Sequence, residues 1–379
     1  MTDAYKVGFI IASLNRGGTE TKLLDTLQRL DRNRFDPFLF VAKGGGELLA
    51  EACDQRVYVG LPAGGNSLRS LYALWKTLRR ERPDAVWCLQ GGVTGFAGRL
   101  FARLLRVPII ILSLHGRQSE RQPALDWPNR LLTPFTTQRV VAVSNEYRQQ
   151  LIAEGIAESL ISVLYNGVDT ARFSPHRSPS GRGGENSFKR AILGIEPSHP
   201  VIGTVGNLLP VKAHEVLLKA AGRVIVQCPD ALFVLVGEGE RRAALERLAQ
   251  ALGVSQNVRF LGRQRDVSDV MRAFDLFALT SNSEGCPNVI LEAMASELPV
   301  VSTRVGGVPE LVDDEVSILV PPQDDVALAQ AILQLLTDPA RRQAMGEAAR
   351  RRAVERFSIE AMIRAREALL MELLVKYRA

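Results

Sequence analysis

The sequence predicts an α/β protein of two doubly wound units in tandem. Three observations predict it. Short, near-continuous apolar runs of strand length alternate with segments whose apolar residues recur at helical spacing. The alternation stops in a stretch rich in Ser, Gly and Pro, and then it starts again. The length of 379 residues is long for one domain and ordinary for two. Runs that are apolar throughout, rather than at every second position, suit strands buried on both faces of a parallel sheet.

In order, strands are expected at Lys6–Leu14, Pro37–Ala42, Val57–Leu61, Ala85–Leu89, Pro108–Leu114 and Val140–Ser144. Helical spacing marks Thr19–Leu30, Leu68–Arg82 and Val93–Leu105 between them. Ser174–Ser187 has no periodicity and reads as a linker or exposed loop. Strands then follow at Val201–Val205, Leu232–Val236, Val258–Leu261, Leu276–Leu279, Pro299–Ser302 and Ile318–Val320. Helices fall at Glu215–Val226, Arg241–Leu252 and Asn288–Ser296, and beyond Asp324 the pattern is helical to the end. The expected domains are 1–180, 188–356 and a final helix over 357–379. Sheets of this kind bind ligands beyond the carboxyl ends of their strands, so a site is expected in a cleft that the two units face.

Composition narrows the classes. Hydrophobic residues make up 46% and charged residues 23%, as in globular proteins with filled cores. No apolar run reaches membrane-spanning length, and the N-terminus lacks the basic and apolar regions of a signal peptide. Cys53, Cys88, Cys228 and Cys286 have no metal or redox spacing and read as small hydrophobes in a reducing compartment. Residues 1–180 hold 23 Lys/Arg against 16 Asp/Glu, a balance of +7, whereas the remainder is close to neutral. A basic half points to an anionic acceptor or an anionic membrane surface, with a solvated arginine-rich face as the plain alternative. Nucleic acid is not expected, because the basic residues are not interleaved with aromatics and no recognition motif occurs.

The most informative stretch runs from Ser281 through Glu284, Pro287 and Glu292 to Ala295. A strand ends before it and a helix starts near Pro287, a residue favoured at the first helical position. A strand-to-helix turn offers unpaired N–H groups and the positive end of a helix dipole, which suits a diphosphate. Glu284 in the turn and Glu292 one helical turn in could each accept from paired sugar hydroxyls. By spacing alone, a helix cap and a surface glutamate explain the same residues.

The whole block resembles the family 4 glycosyltransferases, whose Glu-x7-Glu signature Glu284 and Glu292 match. Val141–Ser144, Ile161–Pro175 with Asn166-Gly-Val-Asp169, Gly203–Leu218 with Lys212, Val236–Gly239, Phe260–Gly262 and Gly306–Glu310 are similar too, in the family's order. The resemblance covers nearly the whole chain. It implies the GT-B fold, with the last helix crossing back to the first domain, and retaining transfer of a hexose-type sugar from a nucleotide diphosphate donor. Lys212 would hold the diphosphate, Glu284 the transferred sugar and Glu292 the ribose. The donor site would further include Gly17, Gly18, Asn207, Arg263, Gly285, Asn288 and Val289. His115 would line the site beside the donor sugar as a third catalytic-site residue with Glu284 and Lys212, though not as the base.

Departures from the family pattern are Asn207, where an arginine is frequent, Ala213 in place of the usual glycine, and Cys286 at a spot often aromatic. Arg263 or Arg265 is the candidate to replace the charge missing at Asn207, and Ala213 is expected to be a minor change. No Asp-x-Asp occurs, so no cofactor and no essential metal are expected. The implied acceptor is a lipid-linked or polysaccharide intermediate of cell-surface glycan synthesis, such as lipopolysaccharide. The implied location is cytoplasmic, peripheral at the inner membrane face. A nucleotide-sugar epimerase and a degenerate nucleotide-sugar-binding protein are the competing expectations.

Overall fold

A computed structural model describes residues 4–15, 17–52, 56–60, 68–89, 92–115, 132–175, 194, 196 and 198–378. Contacts divide the chain into two compact units, Met1–Asn166 with Ile359–Ala379, and Gly167–Ser358.

The first unit contains β1 (Tyr5–Ile11), β2 (Phe35–Val41), β3 (Val57–Val59), β4 (Ala85–Leu89), β5 (Ile109–Leu114), β6 (Arg139–Ala142) and β7 (Ile161–Val163). They form one parallel sheet in the order β3-β2-β1-β4-β5-β6-β7. Alternate residues feed two separate cores, as a sheet covered on both faces requires. Phe9, Ile11, Trp87, Ile109 and Ile111 pack on one face with Leu23 and Leu27 of helix Gly18–Arg29 and with Leu370 and Leu373 of helix Ile359–Arg378. Ile10, Val86, Cys88, Ile110 and Leu112 pack on the other with Leu74 and Leu78 of helix Leu68–Glu81 and Ala97 of helix Gly92–Leu104. Each fully buried Leu, Ile or Phe contributes about 1.5–3 kcal/mol, so these two apolar layers hold the unit together.

The second unit contains β8 (Val201–Val205), β9 (Leu232–Val236), β10 (Val258–Gly262), β11 (Leu276–Leu279), β12 (Val300–Thr303) and β13 (Ser317–Val320). These too are parallel, in the order β10-β9-β8-β11-β12-β13. The strand order reverses between β8 and β11, which leaves a crevice at their carboxyl ends. Helix His214–Val224 buries Val216, Leu217, Ala220 and Ala221 against this sheet.

Several elements go beyond the sequence reading, among them β7 and helix Asn145–Ala153. β7 is only three residues long, too short to show a period of its own. Helix Asn145–Ala153 has few apolar residues, but Ser144 caps it by accepting from the Tyr147 amide at 3.2 Å. The boundary also differs. Val168 N–H donates to the Phe357 carbonyl at 2.8 Å, and the Arg350 guanidinium donates to the Thr170 and Phe173 carbonyls. The expected first domain, 1–180, therefore gives up Gly167–Pro175 to the second unit, which runs to Ser358. Most of the expected linker Ser174–Ser187 lies outside the described residues, as does the stretch 116–129. No helix among the described residues is long and apolar enough to cross a membrane. Cys88, Cys228 and Cys286 are not in disulfides, and burial pushes the Cys88 thiol up to about 12.

Candidate active site

At the crevice of the second unit, the loops after β8 and β11 are stitched together by main-chain contacts. The Thr280 hydroxyl donates to the Lys212 carbonyl at 2.9 Å, and the Asn282 N–H donates to the Val211 carbonyl at 2.8 Å. Lys212 ends a short 3₁₀ turn, Pro210–Lys212, directly before helix His214–Val224. The link between them is Ala213, which is fully buried at φ 46°, ψ 43° in the left-handed region. For a residue with a Cβ that conformation costs about 1–2 kcal/mol, so the replacement of glycine, expected to be minor, carries a backbone cost. The Ala213 methyl packs in the core of the second unit.

Lys212 Nζ lies 2.6 Å from Glu284 Oε1, and the Ser281 hydroxyl donates to the same oxygen at 2.6 Å. The Lys212 side chain is 22% exposed and that of Glu284 11%. The pair is thus partly desolvated while remaining open to solvent. The loop after β12 supports Glu284 from behind, where the Gly307 N–H donates to its carbonyl at 3.2 Å. Gly306 sits at φ +49°, and a Cβ there would lie 1.8 Å from the Glu284 carbonyl oxygen. Only glycine fits that position. Gly237, after β9, is under a similar constraint, because an added Cβ would come within 1.9 Å of the Gly206 carbonyl oxygen.

Helix Asn288–Ala295 follows the Glu284 turn, with Pro287 at its N-cap rather than in the first helical position that the sequence suggested. No side chain caps this end. Glu292 stands one turn into the helix and is half-buried, as are Gly285, Asn288 and Val289. Asn207 and Arg263 are exposed on the loops after β8 and β10, on the same carboxyl edge of the sheet. Within this set, Lys212 and Glu284 are in direct contact. An ammonium set beside a carboxylate, among backbone N–H groups at a helix start, can bind phosphate oxygens and sugar hydroxyls side by side.

His214 was not singled out from the sequence. It is 3% exposed and its Nδ1 has no hydrogen-bond partner. Burial and then the Lys212 charge hold its pKa down at about 4. Its position two residues after Lys212 was the only available signal.

In the first unit, Gly17 is the N-cap of helix Gly18–Arg29, after β1. Its φ of −151° is open to any residue, so the turn itself does not require glycine there. His115 follows β5 at the carboxyl edge, and its Nε2 is buried without a partner. Burial, and then the field of Arg366, lower the imidazole to about pKa 3, so it is neutral at physiological pH. Arg366, on helix Ile359–Arg378, is a second site-adjacent residue that the sequence reading passed over. It is 8% exposed and donates through Nη1 to the Lys22 carbonyl at 3.0 Å and to the Thr26 hydroxyl. A lone arginine within a helical run carries no sequence signal of burial.

Residues 16–172 match Glycosyltransferase Family 4, and residues 185–352 match Glycosyl transferases group 1. The UDP-Gal:alpha-D-GlcNAc-diphosphoundecaprenol alpha-1,3-galactosyltransferase of Escherichia coli is 30% identical over 301 residues, covering 77% of this chain and 76% of that protein. A GDP-mannose-dependent monoacylated alpha-(1-6)-phosphatidylinositol monomannoside mannosyltransferase of Corynebacterium glutamicum is 38% identical over 208 residues, about half of each chain (52% and 53%). Among solved structures, HepE of Anabaena in complex with UDP-glucose superposes with a TM-score of 0.83 at 25% identity, covering 97% of this chain and 99% of that one. The two parallel sheets and their helices are the GT-B arrangement of two Rossmann-like units. The chain belongs to the group 1, family 4 glycosyltransferases, and it is an enzyme of that class.

Proposed function

We propose that this enzyme transfers a hexose-type sugar, with retention of anomeric configuration, from a nucleoside diphosphate to a lipid-linked or polysaccharide acceptor in cell-surface glycan synthesis. The observation that carries the reading is the Lys212–Glu284 pair at the strand-order reversal of the second sheet. Lys212 places a point charge where a leaving diphosphate gains negative charge. Glu284, held by Ser281, accepts from hydroxyls of the transferred sugar, and Glu292 from the ribose. Asn207, Arg263, Gly285, Asn288 and Val289 complete the proposed donor contacts of the second unit, and Gly17 and Gly18 are the proposed donor-binding residues of the first.

In the proposed chemistry, the bond from the anomeric carbon to the phosphate oxygen breaks. The acceptor oxygen bonds to that carbon on the same face, and its proton passes to the departing phosphate oxygen. A neutral His115 with a pKa near 3 fits a hydrogen-bonding partner for the sugar, not a base. With Lys212 and a helix start to balance the diphosphate, the reaction is proposed to need no metal.

The donor and acceptor of the Escherichia coli relative, UDP-galactose and a diphosphoundecaprenol-linked sugar, support a nucleotide-sugar donor and a lipid-linked acceptor here. The proposed location is the cytoplasmic side, peripheral to the membrane. The test is release of nucleoside diphosphate from a panel of UDP-, GDP- and ADP-sugars with and without lipid-linked acceptors, with NMR of the product's anomeric centre. Acceptor-dependent release with retained configuration supports the proposal. Inverted product overturns the retaining step, and binding without release for any acceptor points to a degenerate member.

A further inference from the structure

Among the described residues, four large apolar side chains exposed to solvent lie on neighbouring parts of the first unit. Leu68 is 84% exposed and Tyr72 67% on helix Leu68–Glu81, Leu104 is 61% exposed on helix Gly92–Leu104, and Phe135 is 69% exposed in the stretch 132–136. Contacts tie these segments into one face. The rings of Trp75 and Phe101 meet edge to face with centroids 5.4 Å apart, and the Arg103 Nε donates to the Phe135 carbonyl at 3.1 Å. Leu68, Tyr72, Trp75 and Arg79 follow one another at intervals of three or four residues, which puts them on one stripe of their helix. The opposite stripe, with Leu74 and Leu78, fills the core.

The two helices and the turn after them are also basic. Arg69, Lys76, Arg79, Arg80, Arg103 and Arg106 are all exposed. From residue 68 to residue 106 there are eight Lys/Arg, of which Arg99 is buried, and two Asp/Glu. One of those acids, Glu81, is buried and accepts from the Tyr58 hydroxyl and the Arg80 Nε. The positive charge of the face is therefore largely uncompensated.

We infer that this aromatic and basic face of the first unit docks on an anionic lipid surface. Amphipathic rings and long cationic side chains suit the boundary between headgroups and acyl chains, with their apolar parts buried and their polar ends in water. Each basic residue near such a surface strengthens binding about fivefold at ordinary salt. The exposed Leu68, Tyr72, Leu104 and Phe135 favour lipid over a nucleic acid, which would draw on the charge and leave the aliphatic side chains unused. The inference deepens the lipid-linked acceptor reading, on which its biological sense rests, because it would hold the enzyme where such an acceptor lies.

The test is sedimentation of the full chain with phosphatidylcholine vesicles and with vesicles that also contain phosphatidylglycerol. Two double variants, Tyr72→Glu with Leu104→Glu and Lys76→Glu with Arg79→Glu, are run alongside. Circular dichroism establishes that they fold, and calorimetry with a nucleoside diphosphate establishes that the donor site is intact. The expected result is at least tenfold tighter binding to the anionic vesicles, and a loss of about tenfold or more in each folded double variant. Equal binding to both vesicle types, or no binding, overturns the inference. So does a loss confined to the basic variant, together with displacement of the vesicles by duplex DNA, which would mark a general polyanion site. If vesicle binding fails while diphosphate binding holds, only the docking inference falls; if diphosphate binding also fails, the transferase site is in question.

Discussion

Replacing Glu284 by Gln separates the two halves of the proposed site. In the ligand-free protein, Lys212 Nζ is held at 2.6 Å by Glu284 Oε1, yet the proposal gives that ammonium to the donor's diphosphate. The donor must therefore compete with the carboxylate. Exposed ion pairs contribute about 0–1 kcal/mol, and breaking a fully buried pair costs about 3–5 kcal/mol. With side chains 22% and 11% exposed, this pair belongs towards the lower range, at about 1 kcal/mol. Gln keeps the shape and the Ser281 hydrogen bond but removes the charge that holds Lys212 and repels phosphate. Glu284→Gln should then bind a free nucleoside diphosphate about fivefold more tightly. Sugar transfer should nevertheless fall by roughly 10–100-fold, because a charge-assisted hydrogen bond to a sugar hydroxyl contributes about 1.5–3 kcal/mol. Calorimetry with UDP, GDP and ADP gives the first quantity and a transfer assay the second. A folded Glu284→Gln protein that binds the diphosphate tenfold more weakly would refute this reasoning and make Glu284 a support for Lys212.

Three further outcomes are expected. Gly306→Ala should destabilise the second unit by about 2 kcal/mol or more and weaken diphosphate binding, since its Cβ would meet the Glu284 carbonyl at a positive φ; thermal unfolding and calorimetry check this. Asn207→Arg should tighten diphosphate binding about tenfold by adding a charge-assisted contact from the exposed loop after β8, and an unchanged affinity would remove Asn207 from the phosphate site. The third concerns pH. His115 and His214 have folded pKa values near 3 and 4, below the ~6.5 of a free histidine, so the unfolded chain takes up protons first as pH falls. Their neutral forms thus contribute stability that is complete above about pH 6.5 and is lost as pH falls towards 4 and 3, by up to about 1.4 kcal/mol per unit for each. Denaturant titrations at several pH values between 7 and 4 should show this slope, and His214→Gln should reduce it.

How far the sequence disclosed the structure depends on how local each signal is. The apolar runs Ala85–Leu89, Val201–Val205, Leu232–Val236 and Leu276–Leu279 have the same limits in the structure, because a strand buried on both faces is apolar at every position. β7 and helix Asn145–Ala153 lack that signal, the one through brevity and the other because polar residues predominate. Lys212 and Glu284 lie 72 residues apart, and only the parallel order of β8 and β11 brings them into contact. Sequence could nominate each, but not the bond between them. Ala213 shows the same limit in the other direction, for its left-handed backbone is set by the turn into the next helix and not by its own preference. The burial of His214, of Arg366 and of the His115 Nε2 likewise depends on tertiary packing that no local pattern encodes.

The most direct test of the central claim is calorimetric titration, in the presence of EDTA, of wild type and Lys212→Ala with UDP-, GDP- and ADP-sugars. The account predicts that wild type binds one donor class without metal. It also predicts that Lys212→Ala loses about 10–100-fold in affinity for that donor, the effect of removing one charge-assisted phosphate contact. Equal affinity of the folded variant and wild type, or no binding of any nucleotide sugar by wild type with or without Mg²⁺, would contradict it.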